Sequence, residues 1–87
     1  MMNMETQAAN EIMMEILYKW DPFGCGEGFY ETEAVDVVQA VHELDHSPEL
    51  AERIQTIYEH SFEKWIPMEE CLQMASKLLT VKEQASC

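Results

Sequence analysis

The chain has 87 residues, 47% of them apolar, and sets 17 acidic side chains against five lysines and arginines, for a net charge of −12. That length holds one small core, and the apolar share excludes a wholly disordered chain. The charge excludes direct nucleic-acid binding, because a phosphate backbone would be repelled, and it favours basic proteins or cations as partners.

The start, Met1-Met2-Asn3-Met4-Glu5, has neither the basic region nor the apolar core of a signal peptide. No apolar run approaches the length that spans a membrane, so no membrane association is expected. Ala8, Ala9, Ile12, Met13, Ile16, Leu17 and Trp20 then recur at the three-and-four spacing of one helical face. They predict a first helix from about residue 5 to 19, with Glu15 and Lys19 paired on its opposite side. Asp21-Pro22 closes it. The following connector, Trp20 to Gly28, holds all three glycines of the chain.

Tyr30 to Asp45 is rich in valine, which favours strand. Strict alternation fails at Val37-Val38, however, and Ala34, Val37, Val38, Val41 and Leu44 form a helical stripe, so a second helix is expected. Ser47-Pro48-Glu49 reads as a helix start: a capping hydroxyl, proline at the first helical position, then an acid near the positive dipole end. Leu50, Ile54, Ile57, Tyr58, Ser61 and Trp65 supply the inner stripe of the third helix. Ile66-Pro67 restarts the chain with Glu69 and Glu70 in the first turn of a fourth. Its inner face is Met68, Cys71, Leu72, Ala75, Leu78 and Leu79, and Lys77 and Lys82 suit its negative end. The expectation is an all-α fold, a small antiparallel four-helix bundle, in one domain over residues 1–87 with an ordered core from about 5 to 82.

Alternating helices bring the first connector and the end of the third helix to the same pole. Tyr18, Trp20, Phe23, Phe29, Tyr30, Tyr58, Phe62 and Trp65, all the aromatics of the chain, then gather there. They either plug the open end of the bundle or line a recognition pocket, with Met68 and Cys71 nearby. Trp20 completes a stripe and is expected inside. Phe23, between Pro22 and Gly24, lies outside any stripe and is a candidate partner-binding anchor together with Trp65. Glu27, Glu31, Glu33 and Asp36 around the connector are candidate steering charges for a basic partner.

His42-Glu43-Leu44-Asp45-His46 matches HExxH, in which two histidines one helical turn apart bind zinc and the glutamate acts as general base. Ser47-Pro48 follows at once, leaving His46 at a helix end. A third ligand would have to be Glu49, Glu52 or Glu83, because His60 stands roughly 20 Å along the third helix. Two surface histidines near a helix C-terminus explain the match without a metal. Gly24-x-Gly26-x-Gly28 misses the phosphate-binding GxGxxG, with no strand before it and Glu27 inside it. Cys25, Cys71 and Cys87 form no CxxC pair and are odd in number, which points to a reduced, cytoplasmic protein. Cys25 and His60 share the connector pole, a pairing that geometry permits and nothing else supports.

Trp20-Asp21-Pro22-Phe23-Gly24, Tyr30-Glu31-Thr32-Glu33 and the run from Val35 to His42 resemble the YugE-like family of small bacterial proteins of unknown function. Ile54 to Glu59, Ser61-Phe62-Glu63 and Ile66-Pro67 continue the likeness, which covers roughly residues 12 to 80. It implies an all-helical cytoplasmic protein and supplies no catalytic residues. More loosely, the Trp-Asp-Pro-x-Gly turn with its following Tyr-Glu is similar to turns in small helical proteins of bacterial toxin-immunity loci.

The function these features favour is a non-enzymatic, protein-binding module, immunity-like in its concrete form, that takes a basic partner and needs no cofactor. The competing class is a metal-dependent hydrolase using His42, Glu43 and His46. A structural homo-oligomer is a third reading.

Overall fold

The computed structural model describes residues 5–86, the side chain of Ser86 excepted; Met1–Met4 and Cys87 lie outside the described residues. Four helices follow in order: α1 (Thr6–Trp20), α2 (Glu31–Glu43), α3 (Ser47–Phe62) and α4 (Met68–Ser86), with a single 3-10 turn at Glu27–Phe29. Each helix packs against its neighbours in sequence where a short connector permits, and α1 closes the ring against α4. Directions alternate. Asn10 near the start of α1 meets His42 at the end of α2. Lys82 near the end of α4 reaches the same end of α2.

The core follows the sequence periods closely. Ala9, Met13 and Leu17, spaced by four, are the buried centre of α1, with Ile16 and Trp20 half-buried beside them. Ile12 is 40% exposed and marks the edge of that stripe. On α2 the expected Ala34, Val37, Val38 and Val41 are buried, and so are Ala40 and Glu33. On α4, Met74 joins Cys71, Ala75 and Leu78 inside. Among the described residues no helix is long and apolar enough to cross a membrane.

Three local expectations are corrected. First, α3 ends at Phe62 because Glu63 adopts a left-handed conformation, φ 58° and ψ 32°. The stripe expected to run on through Ser61 to Trp65 therefore breaks. Ser61 is exposed, Trp65 is 63% exposed, and the buried residue of the following turn is Ile66. Gln55 fixes that turn by donating from Nε2 to the Ile66 carbonyl at 2.8 Å. Second, Ser47 is the first residue of α3 rather than its cap; His46 holds the cap position and no side chain caps the helix. Third, Lys82 serves another helix than its own. Its ammonium donates to the carbonyls of Val41 and Leu44 at 2.7 and 3.3 Å and pairs with Asp45 at 2.8 Å. A cation is favourable at the C-terminus of α2 for the dipole reason expected at the end of α4.

Candidate functional site

Asp21 organises the connector pole. It ends α1 in the left-handed region, φ 41°, and turns its carboxylate back into the loop. The Cys25 N–H donates to Oδ1 at 2.8 Å, and the Gly26 N–H reaches both oxygens at 3.2 Å. The Tyr30 hydroxyl donates a short hydrogen bond to Oδ1 and itself accepts from the Phe23 N–H at 3.2 Å. An aspartate before proline is a turn-forming signal because its side chain can bond backbone N–H groups ahead of it. Gly26 is the position where glycine is required: its φ of 108° is closed to other residues.

These bonds shift the titration of the two partners in opposite directions. The Tyr30 hydroxyl above all, then the Gly26, Cys25 and Gly24 N–H groups, hold the Asp21 carboxyl below the usual carboxylate range against an opposing desolvation. Burial first, and the bond to Asp21 second, push the Tyr30 phenol up to about 12. Under the loop lies an aromatic cluster. Tyr58, fully buried, meets Trp20 edge-on at 5.4 Å between centroids and Tyr30 at 5.9 Å. Phe62 lies 5.3 Å from Tyr30 and 5.2 Å from Phe23. The Tyr58 hydroxyl is buried without a hydrogen-bond partner among the described residues. Burial, reinforced by the nearby Glu33 carboxylate, raises its pKa.

The expected site residues separate accordingly. Phe23 is half-buried and packs on Tyr58 and Phe62, so it is part of the plug rather than a free tip. Glu33 is only 7% exposed, because it shares the inward row of Val37 and Ala40 on α2; its place among steering charges is corrected. Glu27 and Glu31 do come together, lining one surface cleft with Tyr18 and Gly28. Asp36 lies on the other flank of α2, in a groove facing α3 with Gln39, Glu43, Arg53 and Ile57. Trp65 stands out in solvent, and so does Phe29, 65% exposed, which the sequence marks only as one more member of the aromatic pole. Its displacement from the plug follows from the 3-10 turn, which puts Phe29 and Tyr30 on different sides of the chain.

The HExxH match is not built as a metal site. Helix α2 ends at Glu43, and His46 has extended backbone, φ −115° and ψ 128°, so the two histidines do not stand one turn apart on one helix. His42 Nε2 lies 2.7 Å from Asn10 Oδ1, and Glu43 accepts from Arg53 at 3.4 Å. Among the described residues no group of three His, Cys, Asp or Glu is placed to hold a metal ion. Cys25 and His60 are both exposed, and no hydrogen bond joins them. Cys71 is buried with its thiol pointed at the Ile66 carbonyl, 3.8 Å away. Burial, aided by Glu70, pushes it up to about 11 and suppresses its thiolate.

Comparison with known proteins places this architecture. A crystal structure of a Bacillus stearothermophilus protein superposes with a TM-score of 0.89 at 45% identity, over 92% of this chain and 99% of that one. The chain is 50% identical over 84 residues to the uncharacterized protein YugE of Bacillus subtilis, 97% of this chain and 98% of that one. A family model described as a domain of unknown function matches residues 12–87, and no catalytic role comes with it. With the likeness extending through the Asp21 connector, the aromatic plug and all four helices, the chain belongs to the DUF1871 family.

Proposed function

We propose that this protein is a non-enzymatic binding module whose connector pole recognises a basic protein surface. The observation that carries the reading is the exposure of two large rings, Phe29 at 65% and Trp65 at 63%, at one end of the bundle. Side chains of this kind anchor interfaces when they sit on a fixed backbone, because little ordering entropy is then lost on binding. Asp21 fixes the backbone on one side, through Cys25, Gly26 and Tyr30, and Gln55 fixes it on the other through Ile66. Glu27, Glu31, Glu63, Glu69 and Glu70 are exposed around that end, against Lys64 and Lys19. Such a field speeds encounter with a cationic partner. An acidic steering patch with aromatic anchors also suits the immunity-like form of the reading.

The test is co-purification from the native cell at low salt. A retained protein of positive net charge, released as salt rises and lost with Phe29→Ser plus Trp65→Ser, is the expected result. Retention that ignores both the salt and the two substitutions would remove the connector pole from consideration.

A further inference from the structure

We infer that the outer face of the α1–α2 hairpin is a docking surface for a basic amphipathic helix of another protein, a proposal that rests on the binding-module reading above. Two rows of side chains build this face. On α1, Asn10, Met14 and Tyr18 follow at steps of four; on α2, Glu31, Val35, Val38 and His42 follow at steps of four, three and four. Such steps keep each row on one side of its helix. The rows are joined at both ends. His42 meets Asn10 at 2.7 Å at one end, and Tyr18 shares a cleft with Glu31 at the other. They therefore run side by side in opposite directions, with Met14, Val35 and Val38 between the polar ends.

The middle of this face is apolar, and its open part is Val35, since Val38 beside it is only 8% exposed and belongs to the core. Val35 is 51% exposed, Phe29 at the connector end is 65% exposed, and Met14 and Tyr18 are half-buried. A valine in mid-helix facing water is neither a strong helix former nor a contributor to this core. From Glu31 to His42 the α2 row runs about 16 Å, at about 1.5 Å of rise per residue, room for a docked helix of about 11 residues before the Phe29 turn is reached. Helix-in-groove recognition asks for such an apolar row to receive anchors at i, i+3, i+4 and i+7.

Charge selects the occupant. Glu11, Glu27 and Glu31 are exposed along the rim. Among the described residues no lysine or arginine stands in either row. Lys19, next to Tyr18 in sequence, is about 100° further round α1 and pairs with Glu15 at 3.2 Å. A second copy would set these acids against themselves across a two-fold interface, with a net charge of −12 on each chain. A helix with an apolar stripe flanked by lysine or arginine matches both the row and its rim.

The test uses the full chain and a synthetic peptide of about 14 residues, leucines at helical spacing with lysines on both flanks, and a second peptide with glutamate for lysine. The lysine peptide is expected to bind and become helical, and the glutamate peptide not to bind. Val35→Glu decides the location. It adds a negative charge, which strengthens any diffuse attraction of the lysine peptide, but it puts that charge in the middle of the docking row. Binding weakened about tenfold or more by Val35→Glu, with an unchanged melting temperature, supports the proposal. Binding unchanged or tightened by Val35→Glu overturns it, as does the absence of any binding by the lysine peptide. Loss with Trp65→Ser but not with Val35→Glu also overturns it, and leaves the connector-pole reading standing. A dimer in light scattering that Val35→Glu dissociates assigns the face to a second copy and overturns it equally.

Discussion

At the scale of single residues, Asp21 and Tyr58 are opposite cases of a polar atom in a small core. The Asp21 carboxylate is fully used, and its depressed pKa gives a definite pH dependence. The stability it contributes is present above its ordinary value of 3.8 and is lost as pH falls below that value through the folded pKa. Asp21→Ala should lower the melting temperature at neutral pH and flatten the acid limb of a denaturation-midpoint profile. Tyr30 works at the other end of the scale. The fold favours its neutral phenol, so stability is complete below its ordinary pKa of 10.0 and is lost as pH rises from there toward about 12. The Tyr58 hydroxyl, by contrast, is buried with no partner among the described residues. Removing an unpaired polar atom from an apolar site is neutral to favourable, so Tyr58→Phe should raise stability by up to about 1 kcal/mol in urea denaturation. Of these features only the Asp21 turn has a local sequence signal. That Tyr30 would reach back across nine residues to it depends on the 3-10 turn between them, which leaves no periodic trace.

At the scale of elements, hydrophobic period made the four helices legible, and local backbone reversals limited the reading at their ends. Val37, Val38 and Val41 are buried on α2 as their stripe required. The stripe drawn through Trp65 failed because Glu63, a residue with no special preference for φ above zero, stops α3 three residues earlier than the period suggests. Charge marks Glu33 for the surface, but its place in the Val37 row decides its burial. Local sequence points Lys82 at the dipole of its own helix, because a contact across 41 residues leaves no local signal. Its substitution tests the corrected role: Lys82→Met should cost on the order of 1–2 kcal/mol and increase amide exchange at the C-terminal turn of α2 rather than of α4. The connector makes a second test. Phe23 packs on Tyr58 and Phe62, and Trp20 packs on Tyr58. Truncating either to alanine should therefore destabilise the fold, by about 2–4 kcal/mol each. A Phe23→Ala variant with an unaltered melting temperature would return that ring to the list of binding anchors.

At the scale of the whole molecule, the aromatics divide between a buried end plug and two exposed rings. Trp20, Phe23, Tyr30, Tyr58 and Phe62 close the end of the bundle, and Phe29 and Trp65 are left outside it. The sequence gathers all eight rings at one pole and places Trp20 inside. Sorting Phe23 from Phe29 depends on the Glu27–Phe29 turn, and the exposure of Trp65 depends on Glu63, neither of which leaves a periodic trace. In the proposed binding module, the net charge of −12 acts on encounter more than on lasting contact. Exposed charges are screened within a Debye length of about 8 Å at physiological ionic strength, so salt should slow association while the aromatic substitutions speed dissociation. The most direct measurement is therefore the association and dissociation kinetics of the co-purified partner with the wild-type chain and with Phe29→Ser plus Trp65→Ser, each across a salt series. A binding module anchored at the connector pole predicts an on-rate that falls steeply with salt in both chains and an off-rate at least about tenfold faster in the variant. An off-rate unchanged by removing both rings would contradict it.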